Sequence, residues 1–342
     1  MTAVAEREQD KTGSVVMTVL RAREVGIALL IIFVVLLTTI NNHHFLDSTS
    51  IQQLLSGAAL IALLGVGETL VIVTRNVDLS VGSVLGLSAY IVGDLFKYHH
   101  IPVWSGFVIG TLVGLVAGAV NGFIVTVLRV PSLVVTLGML YVIRGIDGVI
   151  VSGDRIDPES IPGGFTAVGY KNFFGIPWLA IIVAAVVVLV GYGMRSFRAS
   201  RDLYAIGSNP DAAALAGIPI ERRVFTAFLI SGTLAGLAGA LFLALHTQID
   251  NSGGAGYELK VVAAVVVGGV AIFGGSGTVL GAALGALLLN TINQALVASR
   301  ISAFWNDAIA GALLLVAIAF DRWLTLRVTK TLQSAEGAHR DL

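Results

Sequence analysis

Residues 51–73 run for 23 positions with Glu68 as their one charged side chain, and comparable apolar runs recur along the whole chain. About 20 apolar residues coiled into a helix span the hydrocarbon core of a bilayer, where only a helix or a closed barrel satisfies every backbone polar group. Ten such segments are predicted, near 26–40, 51–73, 81–96, 104–128, 132–152, 178–194, 223–245, 258–273, 278–298 and 304–321. The third, sixth and eighth are short enough to be tilted, broken or re-entrant, which leaves eight to eleven crossings open. The expected fold class is an all-α integral membrane protein. Its composition fits, since 56% of the 342 residues are hydrophobic and 12% charged, against about 25% charged in a soluble domain.

Charge settles several further points. The 21 basic and 21 acidic side chains cancel, so no net field attracts nucleic acid or an acidic partner. Without cysteine, disulfides, thiolate metal sites and cysteine nucleophiles are excluded. Residues 1–25 are polar and of mixed charge, unlike a signal peptide, so the first span is expected to direct insertion. With ten spans, 15 of the 21 Lys and Arg fall on the side of the N-terminus, Arg75, Arg129, Arg195, Arg198, Arg201, Arg222 and Arg223 among them. Short loops rich in Lys and Arg stay cytoplasmic. Both termini are therefore predicted in the cytoplasm, as tails over 1–25 and 323–342 that flank a transmembrane domain over 26–322.

Two glycine series, Gly106, Gly110, Gly114, Gly118 and Gly122, then Gly277, Gly281 and Gly285, recur every fourth residue. Each marks one helix stripe where a neighbouring backbone can approach, as packing inside a bilayer requires. Among polar residues within spans, Arg144 and Asp147 are spaced to pair on one helix face, whereas Glu68 and Asn121 either line a path or bond a neighbouring helix. The pairs His43/His44 and His99/His100 have no companion ligands in sequence and read as solvated loop residues.

The stretch "YAIGSNPDAAALAGIPIERR", residues 204–223, contains the signals of a short surface helix. Ser208 or Asn209 caps it, Pro210 fits its first turn, Asp211 favours its positive end, Ala212–Leu215 extend it and Gly217 with Pro219 ends it. No G-x-x-x-x-G-K-[ST] stretch and no Gly-Lys pair occurs, so the chain has no phosphate-cradling loop of that type. The lysine-free "GGSGT", residues 274–278, reads as a tight turn.

"GSNPDAAALAGI" resembles the cytoplasmic coupling segment of bacterial ABC importer permeases of the ribose and branched-chain amino acid type. "TRNVDLSVGS", residues 74–83, is similar to that family's "GGIDLSVGS", with Arg75 and Asn76 where ribose permeases usually carry two glycines. Residues 256–286 resemble its C-terminal signature, and the likeness extends over about 26–325. The resemblance implies a non-enzymatic permease that works with a second permease chain, two cytoplasmic ATPases holding ATP and Mg, and an extracytoplasmic solute-binding protein. It also implies an ATPase-coupling segment over 204–221, through Ser208, Asn209, Pro210, Asp211, Ala212, Ala213, Leu215 and Gly217.

In such permeases the decamer interrupts the bundle near the transport path, so Asn76, Asp78, Ser80 and Ser83 either line a hydrated cavity or cap the third helix. With Glu68, Asn121, Thr136 and Asn290 they form the candidate path, mainly uncharged hydrogen-bonding groups suited to a small neutral polyhydroxylated solute. "ISAFWNDAIAG", residues 301–311, together with the decamer resembles the branch serving rhamnose and autoinducer 2, and rhamnose is the expected substrate with autoinducer 2 as the alternative. The rival class is an ion-coupled transporter or channel using Glu68, Asp78 or Asp94.

Overall fold

The computed structural model describes residues 24–302 and 304–319, which are mostly helical. In chain order the helices are α1 (Glu24–Asn41), α2 (Ser48–Val73), α3 (Val81–His99), α4 (Val103–Thr126), α5 (Ser132–Val151) and α6 (Gly163–Tyr170). A two-stranded hairpin, β1 (Asn172–Phe173) and β2 (Ile176–Pro177), leads to α7 (Trp178–Ser196), α8 (Arg198–Ser208), α9 (Pro210–Leu215) and α10 (Ile220–His246). Then follow α11 (Tyr257–Val267), α12 (Val279–Ala298) and α13 (Phe304–Ala319). The tails predicted at 1–25 and 323–342 lie outside the described residues except for Glu24 and Val25, which begin α1.

Helices stand at all ten predicted positions, and seven of them, α1, α2, α4, α5, α7, α10 and α12, are long and apolar enough to cross a membrane. The eighth predicted span is the one the structure shortens. Glycine-rich turns replace its end after Val267, leaving 11 residues, which at 1.5 Å per residue reach about half of a hydrocarbon core.

Between Ala58 and Val73 every residue of α2 is buried. A helix apolar on all sides belongs at the centre of a bundle, and α7, α10, α11 and α12 pack around it. On α1, by contrast, Leu29, Phe33, Leu36 and Ile40 are exposed, as suits side chains facing lipid.

The first glycine stripe forms the contact between α4 and α10. A Cβ on Gly114 would come within 2.0 Å of the Gly232 carbonyl oxygen, and one on Gly236 within 2.1 Å of that of Gly110. The second stripe is shorter than predicted. Gly281 and Gly285 on α12 meet Gly268 and the Ala264 carbonyl, while Gly277 lies before the helix, whose N-cap is Thr278.

Loop contacts divide between the two ends of the bundle. At one end Arg129 approaches Glu221 at 3.9 Å, Arg223 pairs with Asp202 at 2.8 Å, and the Gly275 amide donates to the Val73 carbonyl at 2.9 Å. At the other, Lys97 meets Asp154 at 2.8 Å, Ile156 bridges to Ile249, and Asn42 Nδ2 donates to the Ala298 carbonyl at 3.1 Å. Hydrogen bonds from Lys97 and Tyr98 hold the exposed Asp154 carboxyl down to about 2.

Candidate translocation and coupling site

The turn after α2 is made by Arg75 in the left-handed region, φ 66°. That conformation costs a residue with a Cβ about 1–2 kcal/mol and explains why glycine is usual here in the resembling permeases. Arg75 offsets the cost through contacts glycine cannot make. Its Nε donates to the Gly207 carbonyl at 2.6 Å and Nη2 to that of Ser208 at 2.8 Å. The last carbonyls of a helix lack partners within it and carry its negative dipole end, so a guanidinium satisfies both needs.

Three backbones converge beside this contact. A Cβ on Gly207 would lie 1.8 Å from the Val73 carbonyl oxygen and 2.3 Å from the Gly275 amide nitrogen. Gly274, Gly275 and Gly277 all have positive φ, as the tight turn requires. Tyr204 adds a hydrogen bond to the Gly277 carbonyl at 2.9 Å, and Asp202 holds Arg223 at the start of α10. The end of α8 is thereby fastened to α2, α10 and the turn before α12.

The surface helix forms with Asn209 as its cap, its Oδ1 accepting from the Ala212 amide at 3.1 Å. Pro210 and Asp211 occupy the first turn, α9 ends at Leu215, and Gly217 follows with φ 77°. Ser208 belongs to the preceding helix instead, because α8 is a separate amphipathic helix that buries Leu203 and Ile206. Ala213 also departs from expectation: it is 4% exposed and packs into the protein. The outward face consists of Ala212, Ala214 and Leu215, the last 91% exposed.

Beyond Arg75 the decamer folds inward. The Asn76 amide group donates to the Thr74 carbonyl at 3.0 Å and thus closes the turn. The Asp78 amide donates to Glu68 Oε1 at 3.0 Å, and Asp78 Oδ1 accepts from the Ser80 amide and hydroxyl at 3.0 and 2.6 Å. Asn121 Nδ2 reaches Ser80 Oγ at 2.8 Å, Ser83 Oγ donates to the Ser80 carbonyl, and Thr136 Oγ1 donates to that of Val77 at 3.1 Å. Glu68, Asp78, Ser80, Ser83, Asn121 and Thr136 are each at most 1% exposed.

These bonds form a buried network joining α2, α3 and α4, within which Glu68 Oε2 and Asn121 Oδ1 have no hydrogen-bond partner among the described residues. A buried polar group is tolerated where it is hydrogen-bonded, and here Glu68, Asn121 and Thr136 each bond a residue of the decamer from another element. Arg144 donates to the Gly253 carbonyl at 2.8 Å, and among the described residues the expected ion pair with Asp147 is absent.

Asn290 lies apart from the network. Its Nδ2 donates to the Leu54 carbonyl on α2 at 2.7 Å, and a Cβ on Gly57 would strike its amide group at 2.9 Å. Asn290 lines a cavity of about 430 Å³ between the Ser48 end of α2, the His246 end of α10 and the Ala298 end of α12. Eleven residues along α2 separate Gly57 from Glu68, about 16 Å. A second cavity of about 690 Å³ lies at the α8 end, beside Arg195, Tyr204 and Ser276.

Residues 50–318 match the family described as branched-chain amino acid transport system / permease component, and the chain belongs to that family of transporter permeases. Among individual proteins it is similar to the autoinducer 2 import system permease protein LsrC of Klebsiella pneumoniae, 37% identical over 89% of this chain and 88% of the relative. The LsrC proteins of an Enterobacter species, 36% identical over 92% and 90% of the two chains, and of Escherichia coli, 35% over 91% and 90%, are similar at nearly the same level. No solved structure matches the chain.

Proposed function

We propose that this chain is the membrane-spanning subunit of an ATP-driven importer of autoinducer 2 in the bacterial cytoplasmic membrane. The observation that carries the substrate is the likeness to LsrC permeases over about nine-tenths of both chains. Rhamnose, the expected substrate on sequence grounds, has no such support, and the autoinducer alternative takes its place.

Ten crossings with both termini in the cytoplasm remain the proposed topology. It is supported by the way the loops assigned to each side gather at opposite ends of the bundle, with Arg75, Arg129 and Arg223 at one and Asp154 and Ile249 at the other. In this reading two permease chains form the pathway, ATPases carrying ATP and Mg dock at the α9 end, and a solute-binding protein docks opposite. Movement of the ATPases pushes α9, and the junction of Arg75, Gly207 and Gly275 passes that push to α2 and α12. The bond from the Asp78 amide to Glu68 ties the turn after Arg75 back to the body of α2.

A strain lacking this gene tests the reading by uptake of labelled autoinducer 2, rhamnose and ribose. Loss of autoinducer 2 uptake alone, restored by the gene, is expected. Loss of rhamnose or ribose uptake with autoinducer 2 unaffected refutes the substrate assignment.

A further inference from the structure

The cavity beside Asn290 is walled by two facing polar stripes on otherwise apolar helices. Thr49, Gln52, Gln53 and Ser56 follow the i, i+3, i+4, i+7 spacing of one face of α2, and Asn290, Asn293 and Gln294 follow i, i+3, i+4 on α12. Polar groups in a membrane bundle normally bond a neighbouring helix, as Asn290 does with Leu54. Gln53, Asn293 and Gln294 do not: their carboxamides have no hydrogen-bond partner among the described residues. Asn293 and Gln294 are half-buried, while Gln53 is exposed.

The chemistry of the wall is selective. A carboxamide offers two donors and an acceptor, which matches a hydroxyl able to act as either. Tyr170 and Tyr257 add rings against which the carbon face of a sugar-like solute packs. Among the described residues no Asp, Glu, Lys or Arg lines the cavity, and its one imidazole, His246, is held on the Phe242 carbonyl at 3.0 Å, so the wall favours a neutral solute over an ion. Its volume of about 430 Å³ lies within the usual range for small-molecule sites, roughly 300–1,000 Å³. It also lies at the end of α2 opposite the Arg75 junction, where solute handed over by a binding protein would enter.

We propose that this cavity is a receiving site for a small neutral polyhydroxylated solute, with Gln53, Asn293 and Gln294 as its free hydrogen-bonding groups. The site deepens the importer reading and rests on it. It holds the solute between release from the binding protein and passage through the bundle.

The natural absence of cysteine allows a direct test in the complete importer. Asn293→Cys, with Gln248→Cys as an exposed control at the same end, is treated in intact cells with a membrane-impermeant maleimide. Labelling of Asn293→Cys from outside, slowed by autoinducer 2 with its binding protein, is expected. Labelling of the control alone, or labelling that solute does not slow, overturns the site.

In parallel, Asn293→Leu and the double variant Asn293→Leu/Gln294→Leu are assayed for uptake after equal membrane assembly is verified. A fall of about tenfold in the double variant is expected, comparable to losing two neutral hydrogen bonds, with a smaller fall in the single one. Wild-type uptake in both variants defeats the proposal while leaving the importer reading intact. Failure of the unmodified chain to import autoinducer 2 defeats the substrate assignment alone, and the site then stands or falls on protection of Asn293→Cys by rhamnose or ribose.

Discussion

The guanidinium of Arg75 closes the end of α8 by donating from Nε to the Gly207 carbonyl at 2.6 Å. One side chain thereby ties the turn after the central helix to the helix that precedes α9. Because Arg75 is in the left-handed region, Arg75→Gly relieves backbone strain while removing the clamp. Thermal stability is expected to stay near wild type, whereas solute imported per ATP hydrolysed falls about threefold or more. An unchanged ratio in vesicles shows that the clamp carries no force.

Leu215 is 91% exposed at the end of α9, where the proposed ATPase contact falls. Burying a leucine is worth about 1.5–3 kcal/mol. Leu215→Glu is accordingly expected to weaken co-purification of the ATPase by about tenfold or more while membrane insertion is retained. Ala213→Glu differs in kind: its 4% exposure forces the new charge into packed protein, so lower expression accompanies the loss of binding. Equal ATPase recovery with Leu215→Glu removes this face from the interface.

At the α4 and α10 contact, Gly114→Ala places a methyl 2.0 Å from the Gly232 carbonyl oxygen. That oxygen and the next two nearest atoms, Gly236 N and Cα, are all backbone, so the helices must separate, at a cost of about 3 kcal/mol. A clear drop in melting temperature in detergent is expected. Gly138→Ala, inside α5 and meeting nothing within 4 Å, serves as the comparison and does not lower the melting temperature, since alanine favours a helix over glycine.

The contact between Lys97 and Asp154 gives a pH signature. The carboxyl is lowered from 3.8 to about 2, so the stability it contributes is complete above the unfolded value of 3.8 and fades as pH falls towards 2. The difference in melting temperature between wild type and Asp154→Asn should be constant around neutral pH and shrink in that acid window. A difference that grows with acidification contradicts the ion pair.

Much of this architecture is legible in the sequence because its determinants are local. Apolar runs placed helices at ten positions, and the order Asn209, Pro210, Asp211 located the cap and first turn of α9. Elsewhere the signal lay in tertiary pairing. Arg198, Arg201 and Asp202 give α8 the composition of a loop, and its buried Leu203 and Ile206 face is defined only by the protein beneath it. The bond between the Asp78 amide and Glu68 has no local signal, because only the reversal at Arg75 brings the two together. The polar face of α2 was obscured for a simpler reason: a span read from residue 51 omits Thr49, and the stripe it begins loses its first member.

The central claim is that ATP hydrolysis on partner subunits drives solute through this chain, and reconstitution into proteoliposomes tests it most directly. With the partner permease, ATPases and loaded binding protein present, the account predicts accumulation of labelled autoinducer 2 against its gradient that requires ATP and persists when proton and sodium gradients are collapsed. Accumulation by the permease without the ATPases, driven by either ion gradient, would contradict it.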